Sequence, residues 1–113
     1  MTDKIVVLVT TKGVTEAKKI ARALVEEKLA ACANVITSVR SIYRWEGKVT
    51  EERECLMIIK STRGRFDELR TAVERLHSYS VPEVIALPMV DGAPNYLNWI
   101  ADSTGATSTG EPE

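Results

Sequence analysis

The stretch CANVITSVRSIYRWEGKVTEERECLMIIKS, residues 32–61, decides the fold. Residues 32–45 are rich in Val, Ile, Thr and Tyr, which suit a pleated surface. From Val35 onward they divide by alternation into Val35, Thr37, Val39, Ser41, Tyr43 and Trp45 on one face and Ile36, Ser38, Arg40, Ile42 and Arg44 on the other. Glu46-Gly47 is a turn signal, and residues 49–61 read as a returning strand whose apolar content lies at its far end, in 55–59. The two strands form a long hairpin. Folded about Glu46-Gly47, it sets Cys55 opposite Ser38 and Cys32 opposite Ser61, so no disulfide within one subunit is expected.

On the N-terminal side, residues 5–9 are a continuous apolar run that reads as a strand buried on both faces. Thr15 is placed to cap a helix in which Ala17, Ile20, Ala21, Leu24 and Val25 form one stripe among charged residues. On the C-terminal side, Thr62 opens a second amphipathic helix carrying Phe66, Leu69, Val73 and Leu76 and ending near His77. Pro82 bars its continuation. Residues 84–90 then form a last strand, in which Pro88 belongs at an edge or a bulge. Asp91-Gly92 turns the chain into a short closing helix over 95–101. The order βαββαβ closes, with right-handed crossovers, as a ferredoxin-like α+β fold: a four-stranded antiparallel sheet with two helices on one face. Residues 1–102 make this one domain, and 103–113, small, polar and acidic, are expected to be a disordered tail.

The hairpin is too long for the rest of the chain. A strand of about 14 residues spans roughly 45 Å, whereas a helix of that length reaches only about 21 Å. Its distal half, with Ile42, Tyr43, Trp45 and the charged run 50–54, therefore lies outside the monomer's core. A second copy is the simplest cover, because it also removes exposed strand edges. The alternative is a solvated arm. In the oligomer, Tyr43, Trp45, Glu52, Glu54, Tyr79 and Trp99 are the expected interface residues, the aromatic ones as anchors and the glutamates paired across it.

Composition excludes several partners. Lys plus Arg number 15 and Asp plus Glu 16, so no net field draws the chain to nucleic acid or an anionic membrane. No apolar run approaches the roughly 20 residues of a membrane span, and the opening residues lack a signal-peptide pattern, which implies the cytoplasm. Cys32 and Cys55 are the only cysteines and make no CxxC. One histidine, with no nucleophile elbow, P-loop or HExxH, does not assemble an enzyme.

Four segments resemble the signatures of the CutA family of divalent cation tolerance proteins: Leu29-Ala30-Ala31-Cys32-Ala33-Asn34, Tyr43-Arg44-Trp45-Glu46-Gly47-Lys48, His77-Ser78-Tyr79-Ser80-Val81-Pro82-Glu83 and Tyr96-Leu97-Asn98-Trp99. The resemblance runs from the first strand to about Asp102. It implies a compact homotrimer of ferredoxin-like subunits with interlocking hairpins, much as in PII-type regulators. It also implies binding of copper or another divalent cation without an organic cofactor or catalysis.

Family members with a proposed copper site carry a Cys in the first strand and two His before the Tyr-x-x-Pro-Glu segment, where this chain has Val9 and Leu76-His77. His77 is thus a candidate ligand or else a surface histidine closing the helix. Cys32 is a candidate for Cu(I) or else a small core residue. Lys60 is a candidate anion-binding group or an edge lysine. Two other roles remain open: a PII-like trimer binding a metabolite or anion between subunits, and an assembly protein.

Overall fold

The computed structural model of the chain describes residues 2–105. Strand β1 is Lys4–Thr11, helix α1 Val14–Glu26, strand β2 Cys32–Trp45 and strand β3 Lys48–Thr62. A 3-10 turn, Arg63–Arg65, leads into helix α2, Phe66–Leu76, followed by strand β4, Ile85–Pro88, and helix α3, Pro94–Ser103. The sheet order is β2-β3-β1-β4 and every pairing is antiparallel, which is the expected ferredoxin-like α+β topology. Among the described residues, no helix is long and apolar enough to cross a membrane.

The hairpin closes through Glu46 and Gly47, both with positive φ (50° and 80°), between the partners Trp45 and Lys48. Positive φ at both central residues is the primed turn whose twist matches the flanking strands. The register then changes once. Val39 pairs with Glu54 but Ile36 with Leu56, so Thr37 and Ser38 together oppose Cys55, a β-bulge. The Cys55 thiol lies 3.4 Å from the Thr37 carbonyl inside it. Cys32 consequently faces Lys60 and not Ser61, and the single face expected from Val35 to Trp45 is broken. Val35 sits opposite the buried Met57, and Val39 opposite Glu54 on the other side of the sheet.

Alternation along β1 and proximal β3 points Ile5, Val7, Val9, Met57 and Ile59 toward Ala17, Ile20 and Leu24 of α1 and Leu69 and Val73 of α2. Each large side chain fully buried here contributes roughly 1.5–3 kcal/mol. Residues 5–9 are fully buried on this face only, while Val6 and Leu8 on the other stay half-buried. A third helix, α3, packs on β3 and β1 from the other face, where Tyr96 comes near Cys32, and buries Ile100 and Ala101 outside the main core. Pro88 lies on β4, an edge strand, as its missing N–H requires.

The helix ends differ from expectation in instructive ways. Helix α1 starts at Val14 after an extended Gly13, with Thr15 inside it and no side-chain cap. It ends with Lys28 at φ 60°, the Lys28 amide donating to the Val25 carbonyl and the Leu29 amide to the Leu24 carbonyl. This is a Schellman closure with lysine where glycine is usual. Thr62 precedes the 3-10 turn, and its buried hydroxyl makes no hydrogen bond with any described residue.

At the C-terminus the folded unit extends past the expected boundary. Ser103 ends α3, and Thr104 is fully buried with its carbonyl accepting from Arg65 Nε at 2.9 Å. The remainder of the expected tail, 106–113, lies outside the described residues.

Strand β1 stops at Thr11, opposite Cys55, so positions 48–54 of β3 pair with β2 only. This part of the hairpin projects as an arm, and the molecule measures 50 × 26 × 22 Å. Ile42 and Val49 on it are 68% and 67% exposed.

Candidate functional site

Where β1 ends, the chain leaving α2 passes the base of the arm and walls a cleft of about 690 Å³. His77 anchors that passage. Its Nε2–H donates to the Thr10 carbonyl at 2.7 Å, so its Nδ1 is the acceptor for the Tyr79 amide at 3.0 Å. The ring is fully buried, and Nδ1 lies 3.9 Å from Glu16 Oε2. His77 is therefore not a surface residue at the helix end. Neither ring nitrogen has a free lone pair, and a metal ion there would require the Tyr79 amide to surrender its acceptor.

Glu16, in the first turn of α1, holds the next residue. Its carboxylate accepts from the Ser78 amide at 2.6 Å and the Ser78 hydroxyl at 3.1 Å. Burial, the largest single influence, works to raise its carboxyl, and the two Ser78 hydrogen bonds together with His77 and the Lys12 backbone leave it below the ordinary value. Glu16, Thr10 and Ser78 gave no sequence signal for this role, because they lie on three segments that only the fold brings together.

The cleft itself joins five of the predicted interface residues. The Tyr79 hydroxyl donates to Glu54 Oε2 at 2.6 Å, and the Tyr43 hydroxyl to Glu52 Oε1 at 2.7 Å. Burial and then the Glu54 hydrogen bond push the Tyr79 phenol far above its usual range. The hydrogen bond to Glu52 raises Tyr43. Glu83 closes the wall, its carboxyl raised by burial and by the charge of Glu54. Trp45 lines the same cleft near the tip of the arm. Tyrosines here keep their protons and act as donors to the glutamates.

The other predicted residues lie elsewhere. Cys32 is half-buried on the sheet face away from α1 and α2, at the end of the hairpin remote from the arm, its thiol 3.9 Å from Asn34 Oδ1, which also accepts from the Lys60 ammonium. Lys60 opposes Cys32 in the ladder, whereas Thr10, the partner of His77, opposes Leu56. Four residues of β3 separate these points, about 13 Å at ~3.3 Å per residue, so Cys32 and His77 cannot share an ion within one chain. Val9, at the position of a family ligand, is fully buried in the core. Trp99 is 43% exposed and packs on Tyr96 with ring centroids 5.4 Å apart. Among the described residues, no group of three or more His, Cys, Asp or Glu side chains is placed to hold a metal ion.

The fold and cleft define a ferredoxin-like subunit with an overlong hairpin and a tyrosine–carboxylate cleft at its base. Residues 5–103 match the family described as CutA1 divalent ion tolerance protein, and the chain belongs to that family. It is similar to the divalent-cation tolerance protein CutA of Thermus thermophilus, with 47% identity over 100 residues that cover 88% of this chain and 97% of that protein. It is also similar to the chloroplastic CutA of Arabidopsis thaliana, at 46% identity over 88% of this chain, and there the match spans only 55% of the longer protein. The solved structure of the Thermus thermophilus protein matches with a TM-score of 0.88 at 46% identity, covering 90% of this chain and 99% of that one. The family is named for tolerance of divalent ions and not for a reaction.

Proposed function

We propose that the protein is a non-catalytic homotrimer that binds copper or another divalent cation and serves tolerance of such ions. The observation that carries this reading is the arm. Positions 48–54 of β3 have no strand neighbour but β2 among the described residues, and Ile42, Trp45 and Val49 are left exposed on the arm. An exposed, partly apolar ribbon of this length is completed by further copies of itself. Membership of the divalent ion tolerance family supports the cation.

Cys32, half-buried, is the remaining ligand candidate and its sulfur suits Cu(I), whereas both ring nitrogens of His77 are occupied by the fold. Since one chain gathers no metal-holding group among its described residues, the site is completed between subunits. Both cysteines are free thiols, which fits a reducing, cytoplasmic compartment.

Sedimentation equilibrium at micromolar concentration tests the trimer, and isothermal titration of Cu(I) and Cu(II) into it tests the ligand. We expect Cys32→Ser to weaken Cu(I) binding and His77→Ala to leave it. A folded monomer, or no copper binding tighter than about 100 µM, a free energy weaker than about −5.5 kcal/mol, would overturn the reading. Uptake of a small anion in the cleft is opposed by its charge, because Glu52, Glu54 and Glu83 line it with no basic side chain among them.

A further inference from the structure

The two faces of the arm carry opposite charge. Cross-strand partners share a face, so Arg40 and Arg53, Ile42 and Glu51, and Arg44 and Val49 lie together on one. On the other, Val39 pairs with Glu54, Ser41 with Glu52, Tyr43 with Thr50 and, at the tip, Trp45 with Lys48, and this face, acidic apart from Lys48, lines the cleft with Glu83.

Neither face is balanced within its own chain. Arg40 and Arg53 stand directly opposite each other, a like-charge pairing that destabilises an isolated ribbon. Arg40 alone has an acidic partner, Glu51 at 3.4 Å, and Arg44 and Arg53 make no ion pair with any described residue. Across the arm, burial and the neighbouring Glu54 raise the Glu83 carboxyl, as befits an acid without a counter-cation.

We propose that the basic face of one arm seats in the acidic cleft of the next copy, with Arg44 and Arg53 facing Glu52 and Glu83 across the interface. The inference rests on the homotrimer reading and adds to it the mode of contact and the residues the neighbour contributes. Like faces meeting would set acid on acid or arginine on arginine, so unlike faces must meet. Such a contact is heterologous, and it ends only by closing a ring. The exposed Ile42 and Val49 on the basic face and Val81 and Trp45 at the cleft supply the apolar centre. The guanidinium–carboxylate pairs then gain strength from the exclusion of water around them.

Charge reversal in the full chain tests this, read as the protein concentration at half dissociation of the trimer. Arg44→Glu with Arg53→Glu, and separately Glu52→Lys with Glu83→Lys, are each expected to raise it about a hundredfold or more. All four substitutions together are expected to restore it to within about tenfold of the original protein. Losses that simply add in the fourfold variant, or reversals without effect, overturn the proposal while leaving the trimer itself intact. If a reversed chain fails to fold by circular dichroism, Arg44→Gln with Arg53→Gln decides instead: its trimer should lose most of the salt dependence of the original, and an unchanged dependence overturns the proposal. An original protein that sediments as a monomer overturns the trimer and this contact together.

Discussion

The imidazole of His77 and the carbonyl of Thr10 are joined by a 2.7 Å hydrogen bond across 67 positions of sequence, and this bond fixes the tautomer that lets Nδ1 receive the Tyr79 amide. One side chain thus ties the end of β1 to the wall of the cleft. His77→Ala leaves a buried carbonyl and an amide without partners and a void where the ring was, so we expect a loss of about 2–4 kcal/mol. Urea denaturation at neutral pH measures it, and a change under about 0.5 kcal/mol would mean that the ring does not brace the wall.

Glu16 makes the same region sensitive to acid. Its carboxyl lies below the ordinary value of 4.5 in the folded chain, so between the folded and unfolded values the unfolded state binds more protons. The stability that Glu16 contributes is present above about 4.5 and is lost as pH falls through its folded value. Glu16→Gln should therefore be less stable than the original protein at about pH 7 and should approach it at about pH 3. Parallel denaturation curves at the two pH values would contradict the assignment.

Tyr79→Phe removes the donor to Glu54, a residue only 7% exposed, and leaves its carboxylate short of a hydrogen bond. A charge-assisted bond of this kind is worth about 1.5–3 kcal/mol. Guanidinium denaturation should show a loss of that order, and Tyr43→Phe, on the more exposed Glu52, a smaller one.

Lys28 holds a left-handed conformation at φ 60°, which costs a non-glycine residue about 1–2 kcal/mol. Glycine would relieve that and lose part of the gain to its freer unfolded chain. Lys28→Gly should raise the thermal midpoint, by about 0.5–1 kcal/mol in free energy. Hydrogen exchange at Leu29, whose amide closes the helix, offers a local check.

The order of elements, the turn at Glu46-Gly47 and the edge position of Pro88 were legible because each rests on local chemistry: alternation, positive φ, a missing N–H. The excess length of the hairpin was legible by arithmetic alone. The register beyond the turn was not, because Thr37 and Ser38 fit a regular alternating strand as well as they fit a bulge. His77 looked like a helix-ending surface histidine because its burial depends on an extended backbone just after α2 that folds the ring under the sheet. The gathering of Tyr43, Glu52, Glu54 and Tyr79 was half visible. Their membership of one surface could be anticipated, but their specific hydrogen bonds needed the path of the chain through Glu83.

The extra residue at Thr37–Ser38 acts as a phase shift in the ribbon. Up to it, odd-numbered positions of β2 are committed to the chain's own interior, and past it the same parity addresses the cleft. Deleting one of the two would leave composition, turn and pairing nearly untouched, with Val39 still opposite Glu54, and would straighten the ribbon where the bulge now bends it. Acid and base would keep their faces, because Glu52, Arg53 and Glu54 lie on the unbroken strand β3, and a length change of one residue would decide the angle at which the molecule offers them to a neighbour.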